Sequence, residues 1–191
     1  ANTTGTDNVG IGAHALDANT TGSDNTALGD NALGANTTAD NNTAVGSGAL
    51  LLNTTGTSNV SIGAYALDAN TTTSYNTAVG YNALTANTAS NNTGVGYKAL
   101  EATTTGSQNI AVGGEALQDN TTGASNIAIG YGALANATTV SNNVAIGTSS
   151  MDAAVAGANN VAVGSLTLSA LTTGASNTAV GKSALAANTT G

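Results

Sequence analysis

One histidine, ten carboxylates, two lysines and five tyrosines are the side chains of this 191-residue chain that could do acid–base, ligand or recognition chemistry. Their spacing offers little to an enzyme. His14 is the sole histidine, and a general base needs a positioned partner, so it reads as an exposed substitution. The acidic residues come singly. Asp40 and Asp119, for example, occupy unrelated positions in the repeat described below, and a glycosidase-like carboxylate pair would need the fold to bring two of them together. Calcium-binding solenoids repeat an aspartate inside a glycine-rich turn, and no such aspartate recurs here. Without cysteine there is neither a disulfide framework nor a thiolate metal site. No catalytic, cofactor-binding or metal-ligating residue is therefore assigned, and no cofactor is expected. Two basic residues against ten acidic ones give a net charge of −8, which argues against nucleic acid as a partner. No apolar run reaches the ~18 residues that a membrane helix needs.

The elements that must position these side chains are repeats. Asparagines at Asn8, Asn25, Asn42, Asn59, Asn76, Asn92, Asn109, Asn126, Asn143, Asn160 and Asn177 open eleven units. The step is 17 residues, except for one of 16 between Asn76 and Asn92. The sequence reads as one repeat array over 1–191: residues 1–7 end a preceding unit, 8–176 hold ten units and 177–191 a truncated eleventh. With the asparagine as column one, column two is β-branched, column three is Ala, Gly or Ser, and column five is Gly in every unit. Column four is always aliphatic: Ile11, Leu28, Val45, Ile62, Val79, Val95, Val112, Ile129, Ile146, Val163 and Val180. Column nine is Leu16, Leu33, Leu50, Leu67, Leu84, Leu100, Leu117, Leu134, Met151, Leu168 and Leu185. The two-residue spacing of columns two and four predicts a strand, and the glycine after it a bend that a Cβ would resist. No helical stripe survives the glycines.

All twelve charged residues and His14 fall in columns six, seven, ten, eleven, sixteen and seventeen. An unpaired buried charge is costly, so these columns are expected outside. Tyr65, Tyr81, Tyr97 and Tyr131 share columns six and seven and are candidate surface contacts. The one-residue deletion lies in the Thr-rich stretch between Ala86 and Asn92, where a loop can absorb it without exchanging strand faces.

Seventeen residues are too few to fold alone, so units must bury their apolar columns on one another. The expected fold is all-β, a parallel β-solenoid with one coil per unit. Columns four and nine then form the interior ladders. Column one forms an asparagine ladder whose amides bond to the coils above and below, and the Asn-Thr stretch makes the corner. A thin core and a flat face of columns one, three and five suggest that copies pack together, as a homotrimer. Reversed faces, with columns two and four meeting the partner and column three lining the coil, fit the periodicity equally. The Asn-x-Thr triplets, such as Asn19-Thr20-Thr21, match a glycosylation acceptor, but repetition of a turn produces them automatically.

Stretches such as Asn143-Val-Ala-Ile-Gly147 and Asn160-Val-Ala-Val-Gly164 resemble units in the heads of trimeric autotransporter adhesins. The longer Asn76-Thr-Ala-Val-Gly-Tyr-Asn-Ala-Leu84 resembles repeats of phage tail fibres and bacterial "tail fibre domain" surface proteins still more closely. The resemblance implies a trimeric extracellular fibre, on a bacterial surface or a virion, acting as a structural shaft or head segment in attachment. The implied partners are further copies of the chain and a cell-surface receptor or glycan. Two other functions are weighed against it. A glycan-degrading, tailspike-like enzyme would need catalytic residues clustered at one height. An ice-binding solenoid would need ordered threonines, yet columns thirteen and fourteen are adjacent, so a strand would point them to opposite faces. They are also interrupted at Ala89, Val155 and Ala156.

Overall fold

A computed structural model of the chain describes residues 2–153 and 157–190; Val155 and Ala156 lie outside them. Each unit contributes one three-residue strand: β1 (Val9–Ile11), β2 (Thr26–Leu28), β3 (Thr43–Val45), β4 (Val60–Ile62), β5 (Thr77–Val79), β6 (Thr93–Val95), β7 (Ile110–Val112), β8 (Ile127–Ile129), β9 (Val144–Ile146), β10 (Val161–Val163) and β11 (Thr178–Val180). All eleven lie in one parallel sheet in chain order. Column pairs with like column throughout, as in Val161↔Val144 and Ala162↔Ala145. The chain is thus an all-β parallel solenoid, with no helix among the described residues. The short coil keeps the register: Thr77 pairs with Thr93 and Val79 with Val95.

Every coil turns on left-handed backbone. Column-five glycines have φ from 120° to 139°, and a Cβ on Gly96 would stand 2.4 Å from the carbonyl oxygen of Gly113 in the next coil. Torsion and close approach both demand glycine here. Columns seven, nine and seventeen also have positive φ. Columns seven and seventeen hold Asn, Asp or Gly at many positions, such as Asn31, Gly48, Asp24 and Asn41, although Tyr65, Lys98, Glu115 and Leu166 take the same torsion. Column nine never uses such a residue, and its leucines sit at φ near 50°, as at Leu33, Leu67 and Leu134. A left-handed leucine costs about 1–2 kcal/mol, and burying its side chain contributes about 1.5–3 kcal/mol. The bend survives because it drives leucine into the centre, where Leu33 to Leu168 are fully buried along with Met151.

The interior differs from the sequence expectation in one respect. Column three, not column four, faces inward. Ala27, Ala44, Ala78, Ala111, Ala128 and Ala162 have no exposed surface, and they meet the column-eight alanines and column-nine leucines in a single cluster. Column four points out in every strand: Ile11, Leu28, Ile62, Val112, Ile129 and Val180 are exposed, while Val45, Val79, Val95, Ile146 and Val163 are half-buried. Within a coil closed by leucine, the space across from it accepts a methyl group and rejects a branched side chain. At the two ends of column nine, Leu16 is half-buried and Leu185 exposed. Polar residues inside are satisfied by carbonyls: the Ser61 hydroxyl donates to Ala66 at 2.7 Å and that of Thr167 to Gly181 at 2.6 Å.

Candidate functional site

Two asparagine columns hold the coils together and set the geometry of everything outside. In column one, Asn25, Asn42, Asn59, Asn76, Asn92, Asn109, Asn126, Asn143 and Asn160 are fully buried, with Asn8 and Asn177 half-buried at the ends. Asn126 shows the pattern. Its backbone N–H and its side-chain Nδ2 both donate to Asn109 Oδ1, at 3.0 and 3.1 Å, and Nδ2 also donates to the Val140 carbonyl at 2.7 Å. Its own Oδ1 accepts the backbone N–H of Asn143 at 3.0 Å. The side chain occupies the place of a strand residue in a second ladder.

Column twelve forms a further ladder that sequence reading placed merely in a corner. Asn36, Asn53 and Asn70 donate in turn to the Oδ1 of Asn19, Asn36 and Asn53 at 2.9 to 3.0 Å. Thr103 substitutes once, accepting from Asn120 at 3.3 Å. Ala137 breaks the run, and Asn120 Oδ1 is left buried without a partner. Asn19, Asn36, Asn53, Asn70 and Asn120 each open an Asn-x-Thr triplet, and their buried, bonded amides are not free to serve as glycan acceptors, whereas the triplets opened by Asn41, Asn91 and Asn136 lie outside the ladder and are exposed. The signal was available, since column twelve repeats asparagine in seven of the eleven units, the first five in succession. Column-thirteen threonines continue the corner: Thr20 and Thr104 donate their hydroxyls to the carbonyls of Thr37 and Thr121, each at 3.0 Å.

Two surfaces remain for interaction. The first is the outer sheet face, made by columns two and four. Along all eleven strands it presents only Thr, Val, Ile and Leu, with no charge and no tyrosine. Side chains stand about 4.8 Å apart from strand to strand and about 7 Å apart across each strand. Such a stripe, on the order of 1,000 Å² of side-chain surface, exceeds what a monomer ordinarily leaves open.

The second is a ridge of tyrosines on a neighbouring face. Tyr65, Tyr81 and Tyr97 stand in successive coils, each about half exposed. Tyr65 meets Tyr81 edge-on with ring centroids 6.3 Å apart, and Tyr81 stacks on Tyr97 at 6.0 Å. Tyr131, two coils beyond Tyr97, lies over Gly114, where an added Cβ would come within 3.4 Å of its ring. Charges gather beside the rings. Lys98 Nζ sits 5.6 Å from the Tyr97 ring centroid and 3.2 Å from Glu101. The hydrogen bond to Glu101, reinforced by its charge, raises the Lys98 pKa. Burial pushes Glu101 upward, but bonds from Gln118 and Lys98 outweigh it and hold the carboxyl below the usual range. A hydrogen bond to Glu115 raises the Tyr131 phenol. The four tyrosines expected at the surface are therefore there, and the structure gathers them with Lys98 and Glu101.

Elsewhere the charged columns lie at the surface, with Asp40, Asp68 and Asp152 half-buried and Asp40 accepting the Ser23 backbone N–H at 2.7 Å. Asp68 is half-buried, its Oδ1 has no partner, and burial raises its pKa against the smaller pull of the Ala69 and Asp68 amides. His14 and Asp17 are both strongly exposed and 3.7 Å apart. Among the described residues no three metal-ligating side chains cluster and no enclosed pocket forms. No described helix is long and apolar enough to cross a membrane. No family model, curated protein or solved structure matches the chain.

Proposed function

We propose that this chain is a structural segment of an extracellular fibre, a stiff rod that associates with further copies and serves attachment to a cell or surface. One observation carries the reading: the uncharged aliphatic sheet face that runs the length of the eleven strands and lies open in the single chain. Exposed apolar surface of this extent marks a place of interaction, and a second copy of the same chain offers it a matching face. A surface of this area matches or exceeds the ~800 Å² that each partner gives to a stable interface. The threefold copy number comes from the resemblance to adhesin heads and tail-fibre repeats rather than from the face itself. Low charge and an Asn/Thr-rich exterior suit a rod that resists non-specific contact. Sedimentation equilibrium tests the reading: a trimer is expected, and a monodisperse monomer at tens of micromolar would remove its basis.

The same face also favours a second reading. Five of its column-two positions are threonine, namely Thr26, Thr43, Thr77, Thr93 and Thr178. Each is followed two residues later by a valine or leucine on the same face. A regular, rigid hydroxyl and methyl array with these spacings could order water as an ice surface does. Threonine columns thirteen and fourteen are less suited, since column-thirteen hydroxyls are engaged along the ladder. Thermal hysteresis from a monomer would favour this reading, and its absence together with trimers would favour the fibre.

A further inference from the structure

We propose that the tyrosine ridge of residues 59–142 is a carbohydrate-binding site that takes an uncharged polysaccharide laid along the rod. The proposal rests on the folded coil stack and does not require the chain to trimerise.

Clustering is the first reason. Four of the five tyrosines fall on columns six and seven of five consecutive coils. Outside these coils the same columns carry small or polar residues such as Asp30, Ser47 and Ser165, with Leu166 the one large apolar side chain and no further tyrosine. Exposure is the second. Each of these tyrosines is 45–57% exposed although neighbouring rings meet, so the ridge presents aromatic carbon and phenol oxygen together. That combination suits a pyranose, which has an apolar C–H face and hydroxyl edges. The third reason is the rim. Glu101 and Lys98, about a quarter exposed, and Glu115 place fixed acceptors and a donor beside the rings. Bonds from Lys98 and Asn82 to Oε1 and from Gln118 to Oε2 hold Glu101 in place, and Oε2 keeps a further lone pair that can accept a sugar hydroxyl.

Shape and charge narrow the ligand. No pocket encloses a small molecule among the described residues, whereas ring spacings of 6.3 and 6.0 Å along the axis suit successive sugars of an extended chain. One lysine against two carboxylates makes the rim negative, so sulfated glycans and nucleic acids are repelled. An extended peptide finds no free strand edge here. The column-seven and column-nine amides bond between coils, as Lys98 does to Tyr81 and Leu100 to Ala116.

The experiment is affinity electrophoresis of the intact chain in gels carrying mixed-linkage β-glucan, galactomannan, xyloglucan or heparin. Intrinsic tyrosine fluorescence follows binding in parallel, because the chain has no tryptophan and four of its five tyrosines stand on the ridge. Retardation by at least one neutral polysaccharide and none by heparin is expected. Tyr81→Ala combined with Tyr97→Ala should weaken binding about tenfold or more. Tyr75→Ala, on another column, should leave it unchanged, and circular dichroism should show both variants folded. No retardation by any neutral polysaccharide, retardation by heparin alone, or equal binding by the folded double variant would overturn the proposal. None of these results bears on sedimentation, so the fibre reading stands or falls separately.

Discussion

Replacing Asn126 by aspartate changes one nitrogen to oxygen in the middle of the column-one ladder and alters no shape. The Oδ1 that accepts the Asn143 N–H is retained, but the donor to Val140 and Asn109 is lost. An ionised carboxylate at this position would then push oxygen against two acceptors in a dry interior. A buried charge without its partner costs about 3–5 kcal/mol. Protonated, the same side chain regains an O–H donor, and the deficit falls to the ~1–2 kcal/mol of one rearranged hydrogen bond. The difference of about 2–3 kcal/mol corresponds to a folded pKa raised by roughly two units. A raised carboxyl pKa means that the penalty grows as pH rises through and above the unfolded value of about 3.9 and fades below it. Urea unfolding of Asn126→Asp followed by circular dichroism at pH 3 and pH 7 measures this. The variant should fall far short of the wild type at pH 7 and approach it at pH 3. Equal deficits at the two pH values, or no deficit at pH 7, would show that the asparagine ladder is not a dry hydrogen-bonded core.

Other outcomes follow from burial and from the two surfaces. Leu117→Ala should cost about 2–5 kcal/mol in urea unfolding, because Leu117 is wholly buried. Val112→Asp lies on the outer face, so it should shift the chain's own stability by less than about 1 kcal/mol while abolishing trimers in sedimentation. Gly96→Ala must combine a φ of 139° with a 2.4 Å approach to Gly113. It should destabilise by about 3 kcal/mol or more, read in the same urea experiment. Asp68→Asn removes a half-buried carboxylate whose pKa is raised. It should therefore raise stability above about pH 4 and leave it nearly unchanged below, where the wild-type carboxyl is protonated.

The coil stack was legible because identical columns recur eleven times, and the outside was legible because charge avoids so many of them. The leucine column was legible for the same reason. The phase of the strand was not. Three residues give an alternation without saying which side is in, and aliphatic size at Ile11, Val45 and Val112 suggested the interior. The decisive clue was the restriction of column three to Ala, Gly and Ser, as at Ala27, Gly94 and Ser61, which is the mark of a space with no room. Asn36 and Asn53 were read as turn formers because their neighbours are threonines, although a turn alone would tolerate Asp or Ser there. Asp68 shows the limit of reading by column. Its position is an outer one, but coil packing still covers one carboxylate oxygen.

The repeated register has a consequence for how such a rod can vary. Each coil presents to its successor the surface it takes from its predecessor, so gaining or losing one unit's worth of codons in the interior swaps one equivalent neighbour for another. Rod length can drift in increments of about 4.8 Å with no redesign, and a slip of one codon is forgiven where the chain rounds the corner, as residues 76–91 demonstrate. The solenoid works as a graduated measuring stick. Any feature carried at one height, the tyrosines included, can be moved along the stack relative to any other by duplication alone.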